Sequence, residues 1–416
     1  MSEMIPINKV VESVSITHKF DLPILKFLNT SDVENGKIVN INLLPLAELK
    51  GQAKKTIKKH DILFSEIRPK NKRFAYVDVD DTYDYVVSTK LMVLRNINPD
   101  VDNKYFYYFL TNDNMLSILQ DRAENRIGSF PQITFELLSE YSIRVPKLSE
   151  QQQIASVLSA LDSKIELNNR INAELEAMAK TLYDYWFVQF DFPDENGKPY
   201  KTSGGKMVWN EELKREIPVG WDSGDLNKIG DITGGSTPSK AIEENFCVGN
   251  GMPWITPKDL SINKGKKYIT RGELDITEIG LKSASLKIMP AGTVLLSSRA
   301  PIGYLAISRS KVTTNQGFKS FVPNCIFSTE FIYYTIKNLI PEIEANSSGS
   351  TFQEVSTSTL RTMKTLLPTT DILMDFDKKI KPIFKKQDVL EEQNQKLAEL
   401  RDWLLPMLMN GQLKVN

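Results

Sequence analysis

Histidine and cysteine are almost missing from this chain of 416 residues: His18 and His60 stand alone, and Cys247 and Cys325 are the only thiols. A zinc site or a histidine-based catalytic triad has almost no material, and two distant cysteines are too few for a disulfide framework. An excess of either charge is missing too. Lys+Arg and Asp+Glu both number 52, so no global field draws the chain onto a polyanion, and any such contact must be a local patch. No apolar run reaches the roughly 18 residues of a membrane span, and residues 1–20 lack the charged-then-apolar pattern of a leader. The expectation is a soluble cytoplasmic protein with no membrane partner. Its length allows two to four domains, each with its own core.

Proline and glycine are also absent between Leu148 and Phe187, and there the apolar pattern is strongest. Ile154, Leu158, Leu161, Ile165, Asn168, Asn172, Leu175, Ala179, Leu182 and Trp186 alternate spacings of four and three, the a/d seam of a coiled coil. At about 1.5 Å per residue the predicted helix reaches roughly 57 Å, too long for the interior of one compact domain. Phe376, Ile380, Ile383, Gln387, Leu390, Asn394, Leu397, Arg401 and Leu404 repeat the spacing near the C-terminus. Both seams carry amides in mid-run, and buried amides commonly fix register and partner choice. Pro382 predicts that the second helix kinks or begins there, because proline removes a donor and clashes one turn back. The alternative is a pair of surface helices packed on separate cores.

Around the helices the chain reads as two mixed α/β (α+β) globules. In the first, strand-like runs at Ile38–Leu43, Asp61–Phe64, Phe74–Val79 and Tyr85–Leu94 are broken by turns at Asn35-Gly36, Arg68-Pro69 and Asn98-Pro99. A helix over Asn103–Gln120 and a last strand Tyr141–Val145 follow. The second globule repeats the plan. Asp61–Ser65 with Arg68-Pro69 is answered by Gly292–Ser297 with Arg299 and Pro301, and Gly128–Ile133 by Gly349–Val355; each globule closes with a proline (Pro146, Pro368) 16 residues after a phenylalanine. A period of about 220 residues is a duplicated domain plus helix, far above solenoid repeats. The predicted organisation is a first globule at 1–147, a long helix at 148–190, a turn-rich connector at 191–215, a second globule at 216–369 and a second long helix at 370–416. The order implies that the helices pair antiparallel between two unlike heads related by a pseudo-two-fold repeat. Such a separator suits a long, roughly two-fold ligand such as duplex DNA.

A search for catalysis returns little. Asn98-Pro99-Asp100-Val101 lacks the second proline and aromatic residue of an amino-methyltransferase corner. Pro193-Asp194 with Glu212-Leu213-Lys214 imitates a nuclease pattern inside a connector with no strands to hold a metal. Gly204-Gly205-Lys206 has no phosphate-loop spacing, and Gly249-Asn250-Gly251 has no third glycine.

Four motifs in order then identify a likeness. Gly234-Gly235-Ser236-Thr237-Pro238-Ser239 with Pro253-Trp254-Ile255; Ile276–Lys282 through Ser297–Tyr304 and Thr314-Asn315-Gln316-Gly317; Glu150–Ile154; and Leu397–Pro406 with Asn410-Gly411 together resemble the specificity subunit of type I restriction-modification enzymes, over essentially the whole chain. The first globule departs most, lacking the glycine-threonine-proline opening and the asparagine-glutamine-glycine step. The resemblance implies a non-catalytic DNA-reading scaffold. Each globule would be a target recognition domain reading half of an asymmetric bipartite sequence. The helices would set the gap and bind two methyltransferase (modification) subunits, with restriction/translocase subunits added. S-adenosylmethionine, ATP and Mg²⁺ would reside in those partners, and no cofactor or metal in this chain. The alternative is a stand-alone helix-spaced DNA-binding or scaffold protein with no methyltransferase partner.

Candidate contacts to double-stranded DNA are local. Lys50, Lys54, Lys55, Lys58 and Lys59 precede Arg68, Lys70, Asn71, Lys72 and Arg73; Lys70, Asn71, Lys72 and Arg73 form a candidate loop tip, and Arg68 is a further candidate contact. In the second globule Lys258, Lys264, Lys266, Lys267 and Arg271 precede Arg299, and Lys240, Lys258, Arg299 and Gln316 are the favoured candidates. Lysine and arginine neutralise phosphates, whereas arginine, asparagine and glutamine grip base edges. A lysine run is equally a solvated face, and Arg299 is equally a structural buttress. For the helix pair or its partners the candidates are Ile154, Leu158, Leu161, Ile165, Asn168, Leu175, Leu182, Trp186, Ile383, Leu390, Asn394, Leu397 and Leu404.

Overall fold

The computed structural model describes residues 3–49, 51, 53–125, 131–348 and 353–415. Two compact units emerge, one of residues 1–165 with 395–416, the other of 166–394. The long helices, Leu148–Tyr183 and Thr370–Met409, therefore each contribute to both.

In the first unit, strand Glu3–Pro6 pairs antiparallel with Ser142–Val145, the strand that feeds the first long helix. One four-stranded sheet runs Val11–Val14, Leu91–Asn96, Ile62–Ser65, Phe74–Tyr76; another runs Asn42–Pro45, Ile24–Leu28, Tyr85–Ser88, Ala53–Thr56. The core packs Phe64, Phe74, Tyr105, Phe106 and Leu119 against Ile154 and Leu158 of the first long helix and Leu405, Leu408 and Met409 of the second. The apolar run Tyr85–Leu94 is two strands in two different sheets, because Ser88-Thr89-Lys90 turns the chain from one to the other. The expected helix 103–120 is likewise two, Asn103–Thr111 and Asp113–Glu124. Asn112 ends the first and caps the second by accepting from the Met115 amide. The run 38–43 is split between Lys37–Ile38 and Asn42–Pro45.

The second unit repeats this order. Asp222–Asp225 pairs with Lys364–Leu367 ahead of the second long helix. A five-stranded sheet runs Gly230–Gly234, Lys319–Pro323, Val294–Ser298, Ile302–Ser308, Tyr268–Ile269, and a four-stranded one Phe246–Cys247, Leu274–Ile276, Met252–Ile255, Thr313–Thr314. The segment 191–215 is more built than a turn-rich loop. Met207–Asn210 and Arg215–Pro218 form a hairpin, and Phe192 stacks between Tyr200 and Trp221.

The long helices run antiparallel within each unit. In the first, Arg401 donates to Asp162 at 2.8 Å, and Leu404 packs on the same core as Ile154 and Leu158. In the second, Asn168 lies opposite Asn394, Glu176 opposite Gln387, and Tyr183 beside Phe376. The first helix widens into a π turn at Asp184–Val188, which carries Trp186 and Phe187 onto Phe376. Pro382 does not start the second helix, which is continuous from Thr370. Pro382 and Lys378, whose carbonyl loses its donor, both face solvent, where water can take the freed group.

Candidate functional site

In the second unit the family-like motifs converge at one end of the two sheets. The Ser236 amide donates to Thr314 O at 2.9 Å, Trp254 Nε1 to Ser236 O at 3.2 Å, and the Asn315 amide to Ile255 O at 3.1 Å. A Cβ on Gly235 would collide with the carbonyl oxygens of Thr314 and Asn315, so only glycine lets the strands approach this closely. The Thr237 hydroxyl holds Gln316 Oε1, which leaves the amide nitrogen of this exposed side chain outward. The Ser298 amide donates to Gly317 O, placing the Arg299 turn beside the same step.

The first unit has the same frame. The Glu66 amide donates to Lys90 O at 3.1 Å, as Ser298 does to Gly317. Ile67 bridges Gln132 as Arg299 bridges Glu354, and the Ile133 amide reaches Glu66 O as Val355 reaches Ser298 O. Counterparts therefore follow atom by atom: Ile67 with Arg299, Arg68 with Ala300, Pro69 with Pro301. Arg68 and Ala300 both adopt left-handed backbone, φ 47° and 51°, and the Ala300–Pro301 peptide is cis. Arg68 thus matches Ala300, not Arg299. The counterpart of the missing asparagine-glutamine-glycine step is Ser88-Thr89-Lys90, invisible in sequence because only the fold brings it to Glu66. Thr89 and Lys90 are the site residues that pattern reading missed, while Asn315 and Thr237 stood in its motifs without a site role.

The basic candidates sort by their partners. Lys72 Nζ sits 2.6 Å from Asp113, and Lys70 Nζ 4.0 Å from Asp121, exposed pairs worth little that a phosphate can replace. Arg73 braces the Ser31 and Val33 carbonyls and Glu34. Arg68 and Asn71 are exposed, with no side-chain partner among the described residues. Arg299 is tied to Glu354 at 3.4 Å, and Lys319 shares that carboxylate. Lys258 pairs with Glu273 at 2.5 Å, while Lys240, Lys264 and Lys266 stand exposed.

Two members of the basic runs, Lys55 and Lys267, face inward instead. Lys55 is buried and donates to the Thr89 and Leu91 carbonyls, and burial lowers its pKa. Arg271 stays exposed, although it pairs with buried Asp275 four residues on. Lys267 is buried against the rings of Phe384, Tyr333 and Tyr334, donating to Gln387 Oε1 at 2.7 Å and pairing with Glu176 at 2.6 Å. The desolvated ammoniums of Lys55 and Lys267 meet carbonyls, a carboxylate and ring faces, so they are unavailable to a polyanion. Lys50 and the side chain of Lys54 lie outside the described residues, as do Gly128–Phe130 and Gly349–Phe352 of the repeat motifs.

On the helices, Ile154, Leu158, Asn168, Trp186 and Leu390 are buried, and Leu161, Ile165, Leu175, Leu182, Ile383, Asn394, Leu397 and Leu404 half-buried. The nuclease-like pattern has no catalytic geometry: Asp194 accepts the Asn196 and Lys198 amides of its own turn, and Glu212 binds Lys364 and Ser223. Among the described residues no cluster of His, Cys, Asp and Glu could hold a metal, and no helix is long and apolar enough to cross a membrane.

The model for the type I restriction modification DNA specificity domain matches twice, at residues 14–177 and 218–401. The chain belongs to the type I restriction-modification specificity subunits. It is 32% identical to the type I restriction enzyme HindI specificity subunit of Haemophilus influenzae, over 96% of this chain and 97% of that one. A second relative, the MjaIX specificity subunit of Methanocaldococcus jannaschii, is 41% identical over 45% of this chain and 46% of its own. The fold matches a crystal structure of the type I system S subunit from M. genitalium, with TM-score 0.58 at 16% identity over 98% and 96% of the two chains. As a specificity subunit the chain is a non-catalytic DNA-recognition component.

Proposed function

We propose that this specificity subunit reads an asymmetric bipartite DNA target, one part with each globule, and docks two methyltransferase subunits and the restriction/translocase subunits of a cytoplasmic complex. Methyl transfer from S-adenosylmethionine and ATP- and Mg²⁺-dependent cleavage belong to those partners. The observation that carries this reading is one backbone frame, present in both units, that holds different side chains at its matching turns: Arg68 against Ala300, and Thr89 against Gln316. Equal frames with unequal side chains suit two unlike half-sites, since base edges are read by side chains and phosphates only position. Lys70, Asn71, Lys72, Lys240 and Lys258 supply phosphate contacts in this reading. Docking is supported by Leu400 and Trp403, which are 43% and 55% exposed on the second long helix.

Mapping methylated adenines genome-wide, with and without this gene, tests the proposal. A two-part motif should vanish on deletion. Exchanging residues 216–369 for another recognition domain should then alter one part only; a change in both parts refutes the modular reading.

A further inference from the structure

The two matching turns carry one further step, which rests on the DNA-reading role proposed above. In each unit a buried strand, Ile62–Ser65 or Val294–Ser298, ends in a turn pinned by a bridge to the segment before a short helix. At its apex a non-glycine residue holds left-handed backbone immediately before proline, at φ 47° for Arg68 and 51° for Ala300. Left-handed backbone costs an ordinary side chain of order 1 kcal/mol or more, and such strain persists where surrounding contacts impose it. Here the same strain recurs at matching positions of two units whose side chains differ, which points to a backbone device that presents a variable side chain. Both apices are exposed, and within the described residues the Arg68 guanidinium has no partner, although Lys70, Lys72 and Arg73 around it are all engaged.

We infer that Arg68 is a specificity-determining residue that reads a guanine edge in one half of the target, and that Ala300 holds the equivalent, non-hydrogen-bonding position in the other half. The guanidinium fork matches guanine O6 and N7 in the major groove with two pre-set N–H donors, where lysine offers a compact ammonium on a flexible stem. Arg299, tied to Glu354, is the brace of its turn and not its reader.

The test captures a pool of randomised duplex DNA on the full chain, purified with whatever subunits accompany it, and sequences what is retained. Wild type should enrich a two-part motif. Arg68→Ala touches no described contact and keeps a non-glycine apex, so the fold should survive. It should lower discrimination at one G·C pair in one part by roughly 5- to 150-fold, with the other positions unchanged. Arg68→Lys should weaken the same preference while keeping the charge. Ala300→Arg should add a guanine preference to the other part. A uniform drop in capture with the motif intact, or an unaltered motif, overturns the assignment and makes Arg68 a phosphate contact or a bystander. A wild-type chain that enriches no motif overturns the DNA-reading proposal itself, a distinguishable failure.

Discussion

Removing the negative charge of Glu176 should damage the second unit far more than removing the charge it neutralises. Glu176 Oε2 lies 2.6 Å from Lys267 Nζ, and its Oε1 lies 2.6 Å from Lys337 Nζ. Burial alone would push the Glu176 carboxyl up, yet the two lysines more than offset it and hold it at about 2, against an ordinary 4.5. At about 1.4 kcal/mol per pH decade, that difference is roughly 3 kcal/mol of stability. Lys267 goes the other way: burial pushes it down to about 8 from 10.5, with Glu176 pulling against the change. The pair together therefore contributes little, whereas a lone buried ammonium is expensive. Glu176→Gln should cost about 3 kcal/mol at pH 7, and adding Lys267→Met should recover most of it. Four of the five tryptophans, Trp186, Trp209, Trp221 and Trp254, lie in the second unit, so tryptophan fluorescence of a Trp403→Phe background in a urea titration follows it. A loss under about 0.5 kcal/mol for Glu176→Gln, or no recovery in the double variant, refutes the reasoning. The pH dependence follows with opposite signs. Glu176's contribution is complete above about pH 4.5 and drains away as pH falls toward 2. Lys267 releases its proton in the folded state first, so its contribution makes stability rise between pH 8 and 10.5.

Three other outcomes follow from the packing. Asn168→Leu removes the N–H that donates to Asn394 Oδ1 at 2.9 Å and should cost about 1–3 kcal/mol by denaturant titration, while Asn168→Leu with Asn394→Leu should regain much of the loss. Phe376→Ala empties a fully buried site against Trp186 and Phe187 and should cost about 3–5 kcal/mol in the same measurement. Gly235→Ala drives a methyl into the Thr314 and Asn315 carbonyls, so bases read by the second unit should lose their preference in the duplex-pool capture while those read by the first keep theirs.

Period and punctuation were enough to determine the mixed α/β class, the duplication and the two long helices. An uninterrupted a/d seam has few alternatives to a helix, and a four-three spacing names the buried side in advance. Only the tertiary structure decided which charges were available. Lys55 and Lys267 look like Lys70 and Lys72 in sequence, yet carbonyl oxygens, a carboxylate and ring faces brought from distant segments enclose the first two. Pro382 illustrates the same limit: its penalty depends on whether the freed carbonyl meets water, and that is a property of the face it lands on. The correspondence of Arg68 with Ala300 was equally out of reach, because it rests on amide-to-carbonyl bonds that join separate segments, such as Ile133 to Glu66 and Val355 to Ser298. Pattern reports how a segment folds on itself; which side chains are left free for a ligand depends on what packs beside them.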